Sequence, residues 1–263
     1  MISLTSQTEL FNILGYSVQT WGTIVAIGII IGLFFMFRKA KQKKLFEQSQ
    51  ILITYFMIAA IICGRIAYIL INPSEFPNFL SLFAIWGGGI ISYGVLLGGI
   101  LGVAAYKLTS KVSNSEIKEI LDLIAPYFIL AIAIGRIGCF LRGCCFGIPS
   151  DLPWAVSYNG EIPVHPTQIY HAILDFIIFF TLLKVNRKKE HLQAKGIESK
   201  FKFFSRKGST FLLFLILYSV ERFFVDFLRY HPSTEYIGAI SITQFVFMFI
   251  FAIAFWLLTK KSR

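Results

Sequence analysis

Apolar residues gather in seven blocks of about 20, the length a helix needs to cross a bilayer core of about 30 Å. The blocks predict spans at 18–37, 50–71, 84–106, 119–141, 167–185, 209–228 and 238–259. The connections Asn72–Ser81, Arg142–Pro166 and Arg229–Ile237 between them carry Pro, Asn, Asp and Gly, as loops do. With 56% hydrophobic residues, 28 phenylalanines and only 15% charged residues, the chain has more apolar surface than a soluble core hides. The pattern predicts an all-α polytopic membrane protein of seven transmembrane helices, in one membrane domain covering 1–263. Met1–Thr20 is uncharged to acidic and the first block is too long for a signal h-region, so no cleaved leader is expected. No internal repeat is visible, so the inverted-repeat transporter architecture lacks its sequence sign.

The formal net charge of +11 would raise the question of nucleic acid in a soluble protein. Its distribution gives another reading. Twenty of the 25 basic residues, every lysine included, fall in four clusters: 38–44, 107–118, 184–207 and 260–263. All four lie in alternate connections, so the positive-inside bias places them in the cytoplasm. The N-terminus is then outside and the C-terminus cytoplasmic. The basic charge sets topology and predicts no nucleic-acid partner. The segment 185–208 reads as a solvated, lipid-touching linker.

Five arginines remain: Arg65, Arg136, Arg142, Arg222 and Arg229. At about 1.5 Å of rise per residue, Arg136 sits about 27 Å above Lys118, and Arg65 and Arg222 about 22 Å above their cytoplasmic ends. Arg142 and Arg229 reach the outer boundary. The five are expected to converge on the outer third of the membrane. Guanidinium is costly in hydrocarbon and persists there when paired, hydrated or functional. Its planar fork suits phosphate oxygens, so the group predicts a phospholipid-headgroup site. The competing reading is snorkelling, or pairing with Asp122, Asp175, Glu221 and Asp226. Tyr218, Arg222, Asp226 and Arg229 follow one another at steps of 4, 4 and 3, which puts them on one helix face and lets Arg222 and Asp226 pair along it. That face must look into the bundle.

Gly94, Gly98 and Gly102 are spaced by four in a third span that also holds Gly87, Gly88, Gly89 and Gly99. One helix face therefore lacks side chains, for close packing or as a gap that admits a lipid chain or peptide. Cys63 reads as a small apolar filler. Cys139, Cys144 and Cys145 cluster beside Arg136 and Arg142. Three packed small residues, a disulfide such as Cys139 to Cys144, and a thiolate carrier all remain open. Cys-x4-Cys-Cys is not a recognised zinc spacing even with His165 or His231 nearby, and no metal is expected.

Over about residues 13–260 these segments resemble the bacterial prolipoprotein diacylglyceryl transferases. The strongest piece is Gly135-Arg136-Ile137-Gly138-Cys139-Phe140 with Gly143 and Gly147, followed by Asp151-Leu152-Pro153-Trp154. Gly64-Arg65 with Tyr68, Asp122 with Ala125-Pro126, and His165-Pro166-Thr167-Gln168 with Tyr170 are similar to further family motifs, and Tyr218, Arg222, Asp226 and Arg229 match the spacing of another. The resemblance implies transfer of a diacylglyceryl group from phosphatidylglycerol to the thiol of a lipobox cysteine in a prolipoprotein signal peptide, releasing glycerol phosphate. It implies no cofactor, and a multi-pass protein of the bacterial cytoplasmic membrane whose site faces the outer leaflet. Arg136, Arg222, Tyr93 and Asp226 are then the expected catalytic residues. Arg65, Tyr68, Gly94, Cys139, Gly147, His165, Gln168, Tyr218 and Arg229 are expected to bind substrate.

The chain departs from the family pattern at several of these positions. Tyr93 precedes Gly94 where the family has a histidine, and a phenol is a poor base at neutral pH. Cys139 stands for an asparagine, Cys144 for an acidic residue, Trp21 for a tyrosine, and Asp226 and His171 for glutamates. The donor half of the site is kept and the acceptor-activating half altered. His171 is a substitute candidate for the base. Two alternatives stand beside the transferase: a paralogue acting on another thiol or redox acceptor through its outer cysteines, and a non-catalytic phospholipid binder or transporter.

Overall fold

A computed structural model of the chain describes all residues except 1, 14–15, 77, 79–80, 83–88, 196–205, 233–235, 239 and 261–263. The start of the expected third span, with Gly87 and Gly88, lies outside the described residues, as does the middle of the 184–207 basic cluster. Among the described residues are seven α-helices: α1 Thr20–Gln42, α2 Phe46–Ile71, α3 Ser92–Thr109, α4 Asn114–Arg142, α5 Thr167–Ala194, α6 Ser209–Asp226 and α7 Ile242–Thr259. Five of them, α1, α2, α4, α5 and α7, are long and apolar enough to cross a membrane; α3 is a shorter apolar helix, and α6 carries Glu221, Arg222 and Asp226 within its 18 residues. The protein is a polytopic helical membrane protein.

Several expected boundaries shift. Helix α5 runs on to Ala194, so the expected 185–208 linker is helical over its first part. Helix α3 begins at Ser92 and not at 84. Helix α7 begins at Ile242 and not at 238, because Tyr236–Ile237 (β5) and Ile240–Ser241 (β6) pair as a short hairpin. Two further ladders were not expected from the pattern. Glu9–Ile13 (β2) and Tyr16–Gln19 (β3) pair antiparallel. Ile2–Leu4 (β1) pairs parallel with Val156–Tyr158 (β4).

The chain divides into two compact units, Met1–Met36 with Leu121–Arg263, and Phe37–Ile120, the divisions falling inside α1 and α4. In the larger unit, Ala125, Ile129, Ile178, Leu182 and Phe214 form a buried core between α4, α5 and α6. At one end of it, Asp122 of α4 accepts from Lys189 Nζ at 2.8 Å and from the backbone N–H groups of Gly208 (2.8 Å) and Phe211 (2.9 Å). A carboxylate thus caps the positive N-terminus of α6. Arg206 donates to the carbonyl of Lys260 at 2.7 Å, so the start of α4, end of α5, start of α6 and end of α7 meet there. The opposite end holds the last turn of α4, the 143–166 connection and the N-terminal strands. Gln7 N–H donates to Leu141 O at 2.9 Å and Asn159 Nδ2 to Ser6 Oγ at 2.8 Å.

In the smaller unit, α2 and α3 pack along the glycine face. A Cβ at Gly94 would lie 2.5 Å from Cys63 O, one at Gly98 2.3 Å from Ala59 O, and one at Gly102 2.7 Å from Tyr55 O. The close-packing reading holds. The lipid-gap reading is corrected, since the backbone of α2 fills the groove. Overpacking costs about 1–3 kcal/mol even against movable side chains, and here the obstacle is backbone. Gly98→Leu is therefore expected to lower the unfolding temperature in detergent. Gly22→Ala, where nothing lies within 4 Å of the added atom, should not lower it. Equal melting of the two variants would contradict this packing.

Candidate active site

Three buried charges sit on α6 inside the larger unit. Glu221, Arg222 and Asp226 are all buried in a helix that is otherwise apolar. Arg222 Nη1 lies 3.1 Å from His171 Nε2 and the guanidinium sits 5.4 Å from the Phe247 ring centre. His171 Nδ1 is bonded to Glu221 Oε1. One tautomer satisfies both contacts: Nδ1–H donates to the carboxylate while Nε2 accepts from Arg222. Tyr218 stacks on Phe214 at 5.7 Å and meets Phe247 edge-on at 5.5 Å.

The expected pairing of Arg222 with Asp226 is corrected. The hydroxyl of Ser241 donates to Asp226 Oδ2, and His231 Nε2 lies 3.0 Å from Oδ1, out of line for a hydrogen bond. Spacing along one helix permits the i,i+4 pair, but Ser241 of the hairpin takes Asp226 and His171 of α5 takes Arg222. Asp226 in turn fixes Ser241, whose hydroxyl caps α7 by accepting from Gln244 N–H at 3.1 Å. Its position supports α7 more directly than it supports chemistry.

Arg136, near the end of α4, interacts electrostatically with Tyr218, Cys139, Asp175 and Glu221, and Arg222 with Arg136 and Arg229. Three of the five arginines are therefore neighbours. The buried Nε of Arg136 and that of Arg222 both lack a hydrogen-bond partner among the described residues, as do both carboxylate oxygens of Asp175. A buried polar group without a partner costs about 1–3 kcal/mol, more when charged. Two like charges are thus set together, each with a donor that has no partner among the described residues. Arg142 is exposed at the end of α4 and does not join this buried set.

The 143–166 connection closes over the end of α4 through a network of backbone contacts. Gly147 N–H donates to His165 O at 2.9 Å and Ile148 N–H to Leu228 O at 2.9 Å. A Cβ at Gly147 would meet Leu228 O at 2.3 Å, so this glycine permits the close approach of two chains and is not positioned by its own chemistry. His165 lines up with Tyr170, whose hydroxyl lies 3.3 Å from Nδ1 and accepts from Trp154 Nε1 at 2.8 Å. His165 and Gln168 order the loop: Gln168 Nε2 donates to Cys144 O at 2.7 Å, and Thr167 Oγ1 to Cys145 O at 2.9 Å. The buried Gln168 Oε1 has no partner among the described residues.

Cys139, Cys144 and Cys145 are free thiols, and their sulfurs all lie within 4.8 Å of one another. Hydrogen bonds from Cys139 and Cys144 hold the Cys145 thiol well below the usual thiol range, with Arg229 and Arg136 adding to the effect. The same contacts push Cys144 up. Burial pushes Tyr158, whose hydroxyl donates to Phe140 O at 3.1 Å, up to about 12.

Arg65, Tyr68, Tyr93 and Gly94 belong to the smaller unit. Arg65 is buried, donating to Leu82 O (2.9 Å), Ser81 O (2.9 Å) and Gly89 O (3.3 Å), with the Phe76 ring centre 4.9 Å away. Here it pins the segment after α2. Tyr68 donates to Glu75 at 2.6 Å. Tyr93 lies 45% exposed in the first turn of α3, and Gly94 is occupied by packing against α2.

The sequence offers Asp175 and Glu221 only as partners for the arginines and does not reveal the His171–Glu221 bond. The signal was present: ionisable residues inside apolar helices are functional candidates by default.

Residues 8–260 match the family model described as prolipoprotein diacylglyceryl transferase. The phosphatidylglycerol–prolipoprotein diacylglyceryl transferase of Clostridium tetani is 32% identical over 248 residues, 91% of this chain and 92% of the relative. The second such enzyme of Clostridium perfringens is 32% identical over 252 residues, 91% and 89% of the two chains. That of Finegoldia magna is 31% identical over 240 residues, 90% and 88%.

The His171–Glu221 pair generates a prediction. Leaving a buried hydrogen-bonding group without its partner costs about 1–3 kcal/mol, more when it is charged, while replacing both partners with apolar residues is nearly neutral. His171→Leu alone should destabilise the protein strongly in a detergent unfolding assay, and His171→Leu with Glu221→Leu should recover much of the loss. Additive losses across the double-mutant cycle would contradict the pairing.

Proposed function

The chain belongs to the prolipoprotein diacylglyceryl transferase family, and from that premise we propose that it transfers the diacylglyceryl group of phosphatidylglycerol to the thiol of a lipobox cysteine in a prolipoprotein. Glycerol phosphate is the other product. The observation that carries this reading is the pair of buried Nε atoms on Arg136 and Arg222, without hydrogen-bond partners among the described residues, on side chains within electrostatic reach of each other.

The charge balance of the reaction explains why two guanidiniums belong there. The donor phosphate is a diester with one negative charge. As the acceptor sulfur attacks the glyceryl carbon, the bond from that carbon to the phosphate oxygen breaks and the phosphate leaves as a monoester, gaining a second charge. Groups that bind the second charge stabilise the transition state more than the ground state, which is what accelerates the step. Arg136 and Arg222 are placed for this role, with Arg229 beside them. His171, held by Glu221, fixes the direction of the Arg222 fork. Storing the diacylglyceryl group on Cys139, Cys144 or Cys145 would end the reaction, because the resulting thioether sulfur is not displaced by a second thiol. A carrier role for these residues is therefore set aside.

Seven crossings in one membrane domain, with the N-terminus outside and the C-terminus cytoplasmic, fit this reading. The basic clusters support it, as does the way helix ends group at opposite ends of the larger unit. The site then faces the outer leaflet of the bacterial cytoplasmic membrane, where a tethered signal peptide reaches it sideways. Tyr218 lies within electrostatic reach of Arg136 and Arg222.

The test is incubation of the purified, lipid-reconstituted protein with labelled phosphatidylglycerol and a lipobox peptide. The wild type is expected to form thioether and release glycerol phosphate. Arg136→Ala should lose about 10²–10³ in rate, the typical cost of removing one donor at a developing anion, while still inserting in the membrane. Full activity in Arg136→Ala would remove the phosphate role. Binding of lipid without product would favour a phospholipid binder.

A further inference from the structure

We propose that Cys139, Cys144 and Cys145 form a three-thiolate site for Zn2+ whose open fourth position takes the thiol of the acceptor. The inference rests on the reading that this chain alkylates a cysteine.

Convergence of the three sulfurs is built by the backbone. Cys139 lies one turn after Arg136 on α4. The chain then reverses through two left-handed residues, Gly143 at φ 71° and Cys145 at φ 62°. Such a φ is unusual for a residue with a side chain and is worth notice where it occurs. Here three bonds hold it: Thr167 Oγ1 on Cys145 O at 2.9 Å, Gln168 Nε2 on Cys144 O at 2.7 Å, and Cys144 N–H on Cys139 O at 3.1 Å. These contacts bring all three sulfurs within 4.8 Å of one another. A tetrahedral zinc with Zn–S of about 2.3 Å needs its sulfurs about 3.8 Å apart, so a closure of about an ångström or less completes the site. Packing alone gives no reason to place three thiols on a strained turn with their sulfurs together.

Ligand number points to reactivity and not to scaffold. Structural zinc sites use four protein ligands, whereas catalytic ones use three and leave a position open. Among the described residues no fourth sulfur, imidazole or carboxylate joins this cluster. Three thiolates around a divalent ion leave one net negative charge, and Arg229 and Arg136 lie within electrostatic reach to balance it. Because Arg136 also interacts with Cys139, an acceptor held at the fourth position is next to the donor's phosphate.

The site supplies an ionised acceptor. A free thiol is only a few per cent ionised at pH 7. A coordinated thiol is deprotonated outright. In the proposed step the acceptor thiol binds and its proton leaves to water. Its sulfur forms a bond to the glyceryl carbon, and the carbon–oxygen bond to phosphate breaks. The electron pair departs with glycerol phosphate beside Arg136. Zinc stays divalent throughout. The neutral thioether product is a weaker ligand than a thiolate and is released.

The experiment uses the full-length purified protein. Wild type prepared without chelator is expected to hold one zinc ion per chain by elemental analysis, and Cys139→Ser, Cys144→Ser and Cys145→Ser to hold none. Chelation should slow transfer by at least about tenfold, the deficit of an un-ionised thiol, and stoichiometric Zn2+ should restore it. A readout apart from activity comes from Co2+ in place of zinc. Sulfur-to-cobalt absorption should appear in the wild type and should shift on addition of a lipobox peptide carrying cysteine but not serine. Full transfer in excess chelator with no cobalt–sulfur absorption would overturn the zinc site and leave the transferase reading standing. A cobalt–sulfur spectrum that shifts with the peptide, with no product under any condition, would sink the transferase reading and with it the role given to the metal.

Discussion

A guanidinium inside a membrane helix must be compensated, and the larger unit is organised around that requirement. Arg136 and Arg222 come from different helices, sit together among aromatic and aliphatic side chains, and are only partly satisfied by protein groups. Asp175 and Glu221 bring negative charge near them without bonding to them, apart from the link through His171. Removing such charges from water costs several kcal/mol each in real proteins. A lipid phosphate offers what is missing: negative charge with oxygens suited to a planar fork.

The remainder of the unit keeps those two side chains at the right depth. Asp122 with Lys189 fastens the start of α6, while Asp226 with Ser241 fastens its end to the cap of α7. Between these anchors Arg222 cannot slide along the helix axis without breaking a buried contact. The 143–166 connection does the same for α4, since Tyr158, Gln168 and Thr167 hold the chain immediately after Arg136 and Cys139. A rigid frame matters because a preorganised donor costs no reorganisation when charge develops.

Much of this was legible in the sequence, for a physical reason. Bilayer thickness fixes the length of an apolar block, so the helical membrane class and the five long apolar helices follow from simple counting. Long-range pairings were not legible. Nothing local in Ile2–Leu4 announces a parallel partner at Val156–Tyr158. Helical spacing allowed Arg222 to meet Asp226, but His171 of α5 takes the contact with Arg222 and Ser241, beyond the end of α6, takes the one with Asp226. Gly94, Gly98 and Gly102 point to close packing, but which helix fills the glycine face is not local information; α2 does. The close approach of Cys139, Cys144 and Cys145 was not legible either, because the left-handed residues Gly143 and Cys145 make it.

The claim that Arg136 and Arg222 hold the donor's phosphate is tested most directly by binding in the absence of acceptor. Equilibrium affinity for short-chain phosphatidylglycerol would be compared in the wild type, Arg136→Met and Arg222→Met, beside a diacylglycerol that lacks the phosphate. The account predicts that each substitution weakens phosphatidylglycerol binding by at least about tenfold, equivalent to about 1.4 kcal/mol, and leaves diacylglycerol binding unchanged. Unaltered affinity for phosphatidylglycerol in both variants would contradict it.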